Sequence, residues 1–442
     1  MRIFYLTTEF LWPPHHGGRV RSLMQLSLLA SLPEVTRLTV MGLCETPVSA
    51  QEIEKLRAQL LSPSGQSSGG GDAALARASL QLELLPPIFH PIHLRKAPLA
   101  LLQVAARRAY TGQPYLAAKW ESAPAREALT QALRSSTVGA AGYDLIYIDH
   151  LGMAQYLPLI RSLCPGARVV LEEHNVESDF FAQFAQRAPL PLRFLARQEY
   201  KVAARFEAQT LAAVDAVVAI SQVDAQALAA LVTAHTGQQR TPVVVPQVVQ
   251  STEPKRKPQP EHSLCYVGNL TWHPNTLGLS WFCQRVWPLV RRALPSVKLT
   301  IAGSGLGKDG SGRLQVPSDW QVPGIEVVGY VEDLETLYTQ SLGMVAPILG
   351  GSGVRIKLLE ALRAGMPVVT TRAGAAGLPL HDGAEVLIED EPEAFARAVI
   401  RLCLDAGLQE QLRNAGYQYL RQGHSLKAAA VAMRQVLGLP TQ

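Results

Sequence analysis

Short apolar segments alternate with longer helical patterns along almost the whole chain, and this alternation restricts the fold more than any other feature. Strand candidates in the first half are Ile3–Thr7, Arg37–Gly42, Leu145–Ile148, Val169–Glu172, Ala216–Ile220 and Val243–Val245. The second half offers Leu264–Val267, Lys298–Ala302, Ile325–Val328, Met344–Pro347, Val368–Thr370 and Val386–Ile388. Helical stretches such as Arg197–Ala213, Thr276–Ala293 and Pro392–Leu404 lie between them. Strands separated by helices imply parallel sheets covered on both faces. The pattern starts afresh after "QSTEPKRKPQPEHS" (Gln250–Ser263), which is polar, basic and proline-rich and reads as a linker. The expected architecture is α/β, with two doubly wound Rossmann-like domains over 1–249 and 264–424, joined by a linker over 250–263. Ligands in such sheets bind beyond the carboxyl ends of the strands, so the cleft between the domains is the default site.

A chain of 442 residues is too long for one core, which agrees with two domains. Hydrophobic content of 48% beside 17% charge describes a soluble globular protein, and no apolar run reaches spanning length. "MRIFYLTTEF" reads as a first strand rather than a signal peptide. Five scattered cysteines without metal-ligand spacing suggest reduced thiols and a cytoplasmic protein. The net charge of +5 is mild and no basic–aromatic interleaving occurs, so nucleic acid is not an expected partner. "SPSGQSSGGGD" (Ser62–Asp72) reads as a surface loop without a role. From His90 to Arg126, Arg95, Lys96, Arg107, Arg108, Lys119 and Arg126 face the single acid Glu121, with apolar runs interleaved. Such a region fits an anionic membrane surface, and an ordinary helical layer with solvated arginines fits it as well.

The segment "GGSGVRIKLLEALRAGMPVV" (Gly350–Val369) combines glycines, two cations (Arg355, Lys357), a helical run with one acid (Glu360) and a following strand. Glycines permit close backbone approach, and a helix N-terminus with nearby cations attracts phosphate. Glu360 is placed to accept bonds from vicinal hydroxyls, or to form a surface pair with Lys357. In the first half, "PPHHGGRVR" follows the first strand, so Gly17, Gly18 and Arg19 are candidates for an acceptor phosphate or the donor diphosphate. His174 follows "VVLEE" and His150 follows "IYID", each at a strand end where an imidazole can bond a sugar or take a proton.

"LLEALRAGMPVVTT" resembles the nucleotide-sugar signature of retaining glycosyltransferases of family 4, which have the GT-B fold. The usual first Glu of that signature falls on Ser352, as in a subset whose loop reads Gly-x-Gly-x-Arg-x-Lys and which includes exopolysaccharide sugar transferases. "YVGNLTWHPNTLGLSWFCQRVWPLV", "KLTIAGSG", "IEVVGYVEDLETLYTQSLGMVAPI", "TEFLWPPHHGGRVR" and "LEEHNVES" follow in family order, so the resemblance covers nearly the whole chain. It implies transfer of a sugar from a nucleotide diphosphate sugar to a glycan or lipid-linked acceptor, at the inner face of a membrane. Glu360 would hold the ribose, with Arg355 and Lys357 on the diphosphate. These replace an Arg and a Lys that many relatives carry after the first C-domain strand. Asn269, His273 and Asn275 would add hydrogen bonds there. Amides near Ser352, Gly353 and Val354 and near Gly374 and Gly377 would meet donor oxygens. His174 would face the donor sugar, and the N-domain would bind the acceptor. A helix over 425–442 would cross back to the N-domain. No Asp-x-Asp metal motif stands at a strand end, so a metal-independent reaction without a cofactor is expected. Two alternatives share the fold: a non-hydrolysing nucleotide-sugar epimerase, with Glu172 and Glu173 as candidate acids, and a catalytically silent nucleotide-sugar-binding protein.

Overall fold

The computed structural model describes residues 1–14, 17–61, 77–90, 104, 106, 108, 110–135, 142–187, 189–249, 263–350 and 353–440. The chain divides into two compact units: Met1–Gln247 with Leu426–Gln442, and Val248–Ser425.

Unit 1 is built on parallel strands β1 (Arg2–Thr7), β2 (Arg37–Cys44), β3 (Gln81–Leu84), β4 (Ile88–Phe89), β5 (Leu145–Asp149), β6 (Arg168–Glu173), β7 (Ala216–Ala219) and β8 (Val243–Val244). Their order is β3-β2-β1-β5-β6-β7-β8, with β4 also on β2. The central strands are apolar on both faces because helices cover both, so Phe4, Ile146, Val169 and Leu171 are fully buried. The final helix, Leu426–Leu437, packs on the Gly17–Ala30 helix and beside β7 and β8. Arg168 Nε donates to the Val436 carbonyl at 3.2 Å, and Arg434 pairs with Glu34.

Unit 2 repeats the plan with β9 (Ser263–Val267), β10 (Lys298–Ala302), β11 (Ile325–Gly329), β12 (Gly343–Ala346), β13 (Val368–Thr370) and β14 (Leu387–Ile388), ordered β11-β10-β9-β12-β13-β14 and all parallel. Strand order reverses between β1 and β5 in unit 1 and between β9 and β12 in unit 2. These switch points open a crevice at the carboxyl ends of the strands, where ligands of such sheets bind.

All twelve anticipated strands form. β3 and β4 escape the sequence reading because they are short, half-exposed edge strands without an apolar run. The helix expected from Arg197 starts at Leu190, with Pro191 in its first turn, where a missing N–H costs nothing. The Thr276–Ala293 stretch starts at His273 and contains a π-helical turn, Phe282–Val286. The Ser62–Asp72 loop and all of the linker except Ser263 lie outside the described residues.

Candidate functional site

At the unit 2 switch point, the chain leaves β9 through Gly268 and enters the His273–Trp281 helix. It leaves β12 through Pro347 and enters the Ile356–Arg363 helix. Gly278 lets these loops meet, since a Cβ there would lie 1.6 Å from the Pro347 carbonyl oxygen. Lys357, in the first turn of the second helix, turns inward. Its Nζ donates to the Tyr266 hydroxyl at 3.1 Å and to Asn275 Oδ1 at 2.8 Å, and it lies 4.6 Å from the Tyr266 ring centroid. A Cβ on Gly268 would come within 2.9 Å of that ammonium, so glycine is the residue that leaves it room. Burial pushes the Lys357 pKa down to about 7, and the Arg355 charge adds to the shift. Among the described residues, Lys357 has no carboxylate partner.

Arg355 is buried, with its guanidinium 5.7 Å from the Trp272 ring centroid and a bond to the Gly350 carbonyl at 3.3 Å. Gly353 and Gly377 both take left-handed φ, +81° and +84°, and a Cβ on Gly377 would meet the Gly353 carbonyl oxygen at 3.4 Å. The structure therefore brings Lys357, Arg355, Asn275, Gly353, Val354 and Gly377 to three connections at one sheet end, those after β9, β12 and β13. Ser352 lies outside the described residues.

Several expected roles are altered. Glu360 does not pair with Lys357. It accepts from Arg363 Nε at 2.9 Å and keeps 38% of its side chain exposed, because Lys357 points inward. Asn269 Oδ1 is engaged by its own loop, accepting from Thr271 N, Thr271 Oγ1 and Trp272 N. The Gly374 amide is capped by Thr371 Oγ1 at 2.9 Å, so it does not point at a ligand. His273 stands exposed at the start of its helix. Asn275 is 3% exposed and braces the loop, donating from Nδ2 to the Asn269 carbonyl.

Unit 1 has a different chemistry at its switch point. Glu172, fully buried, accepts from Arg21 Nε and Gln25 Nε2 at 2.7 Å each and from the Tyr147 hydroxyl at 2.6 Å. Asp149 ends β5 and holds His174 Nε2 at 2.8 Å, leaving Nδ1 as the second ring nitrogen. Burial opposes charge on His174, but the Asp149 carboxylate outweighs it and the His174 pKa rises. The same contact outweighs burial at Asp149 and holds its pKa low. His150 sits beside this pair, ring centroids 5.5 Å apart, with its pKa lowered by burial. It has φ +97°, a left-handed conformation that costs a non-glycine residue strain and is typical of functional sites. Its Nε2 lies 3.5 Å from Glu177 Oε1. Asp149, Glu172 and His174 offer ligand atoms within 4.8 Å of one another, but their lone pairs and charges already have partners in this cluster. Gly17 and Gly18 open the Gly17–Ala30 helix, and Arg19 pairs with Glu9 at 2.6 Å, so an incoming phosphate would compete with that acid.

Sequence reasoning missed Arg21, Gln25, Tyr147 and Asp149 in unit 1, and Tyr266 and Gly268 in unit 2. Two signals were available: acids ending the apolar strands "LIYID" and "VVLEE", and a second arginine one turn into "GGRVR". Of the cations expected to form a surface over 90–126, three described ones have neighbours within the fold. Arg108 pairs with Glu199, Arg126 pairs with Glu121, and Lys119 lies half-buried 4.7 Å from the Trp120 ring centroid. Arg95, Lys96 and Arg107 lie outside the described residues.

Over 98–99% of its length the chain superposes on solved structures of low sequence identity. Anabaena HepE in complex with UDP and glucose gives a TM-score of 0.62 at 12% identity, covering 99% of this chain and 100% of that one. Sucrose-phosphate synthase from Thermosynechococcus elongatus gives 0.61 at 16%, covering 98% of each. A mutant of S. aureus TarM in complex with Fondaparinux, alpha-GlcNAc-glycerol and UDP gives 0.64 at 10%, covering 99% and 100%. The fold is GT-B. Residues 261–405 match the family model described as glycosyl transferases group 1, which takes in the Lys357 site. A Klebsiella pneumoniae protein described as an "uncharacterized 44.6 kDa protein in cps region" is 29% identical over 168 residues, 37% of this chain. That match spans 43%, less than half, of the Klebsiella protein.

Proposed function

We propose that this GT-B chain is a retaining, metal-independent glycosyltransferase that moves a hexose from a nucleotide diphosphate sugar to a glycan or lipid-linked acceptor in surface polysaccharide synthesis. The observation that carries the reading is Lys357. This half-buried cation is held by two neutral groups beyond the switch point of the unit that matches the group 1 family. A cation without an acid suits a ligand that brings the negative charge. The UDP in the solved HepE and TarM structures and the cps-region relative point the same way.

In this reading Lys357 and Arg355 bind the diphosphate, and the part-exposed Glu360 accepts the ribose hydroxyls, exchanging its bond to Arg363. The bond between sugar C1 and the phosphate oxygen breaks, and the nucleoside diphosphate leaves with the electron pair. The acceptor hydroxyl attacks C1 from the same face, and its proton passes to the departing phosphate oxygen. Lys357 and Arg355 stabilise the charge that develops there, which is the larger part of the catalysis expected. His174, oriented by Asp149, bonds the sugar through Nδ1. The epimerase alternative loses ground because Glu172 is locked to Arg21, and Glu173, with its pKa raised well above normal by burial, is not a poised base.

The test has two parts. A thermal-shift panel of UDP, GDP, ADP, CMP and dTDP, with and without magnesium, identifies the nucleotide. Turnover with the matching nucleotide sugar then reads product. Release of nucleoside diphosphate only when a lipid-linked glycan acceptor is present is expected. Conversion of the donor sugar without acceptor would select the epimerase, and binding without release would select the silent binder.

A further inference from the structure

The two helices Glu177–Arg187 and Leu190–Ala213 form a packed hairpin in unit 1, and exposed apolar side chains gather near its tip. Phe180 is 63% exposed and Phe184 47%, one helical turn apart on the same face of the first helix. In the opening turns of the second helix, Leu190 is 79% exposed, Phe194 62% and Leu195 61%. Large apolar side chains clustered in this way on one element mark an interaction surface, whereas single ones do not.

Charge says which surface they meet. Between Phe180 and Lys201 the sequence carries Arg187, Arg193, Arg197 and Lys201 against one acid, Glu199. Glu199 is 8% exposed and turned inward, where it accepts from Arg108 Nε and from the Tyr115 amide. Arg197 and Lys201 are exposed and Arg193 is half-buried, against the half-buried Asp179 beside Phe180, so the exposed charge is positive and interleaved with aromatic and leucine side chains. A notch of about 260 Å³ between the two helices is lined by Ala182, Ala185, Gln186, Arg197 and Tyr200, offering a cation and a phenol at its wall. Apolar residues that enter the acyl boundary beside cations that meet headgroup phosphates describe an interfacial anchor. No helix among the described residues is long and apolar enough to cross a membrane.

We propose that the tip of this hairpin docks on an anionic lipid bilayer, with Phe180, Phe184, Leu190, Phe194 and Leu195 entering the interface and Arg193, Arg197 and Lys201 meeting lipid phosphates. The proposal stands independently of the transferase reading, since it uses no residue of the donor site.

The test is co-sedimentation of the full chain with vesicles of phosphatidylcholine containing 30% phosphatidylglycerol, and with phosphatidylcholine alone. Binding to the anionic vesicles is expected, at least tenfold weaker on the neutral ones and weaker in high salt. The double variant Phe194→Ser with Leu195→Ser should lower binding tenfold or more, and Arg193→Glu with Arg197→Glu should abolish the preference for anionic lipid. Unchanged circular dichroism melts would show that the variants fold. Equal binding to both vesicles, or none to either, overturns the proposal. So does a dimer, seen by analytical ultracentrifugation, that the Phe194→Ser and Leu195→Ser variant converts to monomer, because the tip would then be covered by a second copy.

Discussion

The carboxyl ends of the two sheets carry charge in opposite ways. At the unit 1 switch point acid and cation stand together: Arg21 with Glu172, and His174 with Asp149. Tyr147 and Gln25 fill further lone pairs of Glu172. At the unit 2 switch point the Lys357 ammonium meets, among the described residues, a phenol and an amide. A network of paired charges orients the groups at its edge, here His174. An ammonium pressed toward neutrality by its surroundings is held ready for an anion. The same topology thus supports a positioning site in one unit and a charge-binding site in the other.

Four substitutions or titrations would break or sharpen this contrast. The largest effect is expected in the paired network of unit 1. Arg21→Ala leaves the Glu172 carboxylate buried without its cation, and should cost about 3–5 kcal/mol of unit 1 stability in urea unfolding. Lys357→Met should leave stability unchanged or raise it, since it removes a desolvated cation. The same variant should weaken nucleoside diphosphate binding by about 1.5–3 kcal/mol, the range of a hydrogen bond to a charged group, read by calorimetric titration. Glu360→Ala should weaken nucleotide binding by about 1–3 kcal/mol. Its effect on stability should stay within about 0.5 kcal/mol, because its partner Arg363 is also on the surface. Unchanged affinity would remove Glu360 from the site.

The remaining test is the pH dependence. An unfolded lysine titrates near 10.4, roughly, and Lys357 in the fold titrates at about 7. Between these values the unfolded chain binds the extra proton, so the Lys357 contribution to stability rises with pH across that window. Ligand binding runs the other way, because the diphosphate favours charged Lys357. Its affinity should fall by up to about tenfold per pH unit above 7, roughly 1.4 kcal/mol. A flat affinity profile from pH 6 to 9 would contradict it. In unit 1 the His174–Asp149 contact raises the folded His174 pKa. Its contribution is therefore full below the ordinary histidine value and is lost as pH rises through the raised one.

Sequence pattern shows the fold well and the site unevenly. Buried parallel strands must be apolar on both faces, so ten or more such runs between helical stretches left little choice of architecture. β3 and β4, at a sheet edge, lack that constraint and were invisible. At the site, the glycines and the Arg355, Lys357 and Glu360 series stand together in sequence, so their neighbourhood was readable. Which way each side chain turns was not. Lys357 faces Tyr266 and Asn275, 91 and 82 residues earlier, and the pairing of β9 with β12 brings them together. The Arg21–Glu172 pair is hidden for the same reason, its partners being brought together by the order of β1, β5 and β6. Local loop and cap geometry engages Asn269 Oδ1 and the Gly374 amide, which the sequence pattern did not show.

The decisive measurement is calorimetric titration of wild type and Lys357→Met with the nucleoside diphosphate that binds best, at pH 6.5, beside their unfolding curves. A charge-binding role for Lys357 predicts affinity at least tenfold weaker in the variant, with stability equal or higher. Equal affinity in the two proteins would contradict it, and would return Lys357 to the role of a packed side chain in the loop.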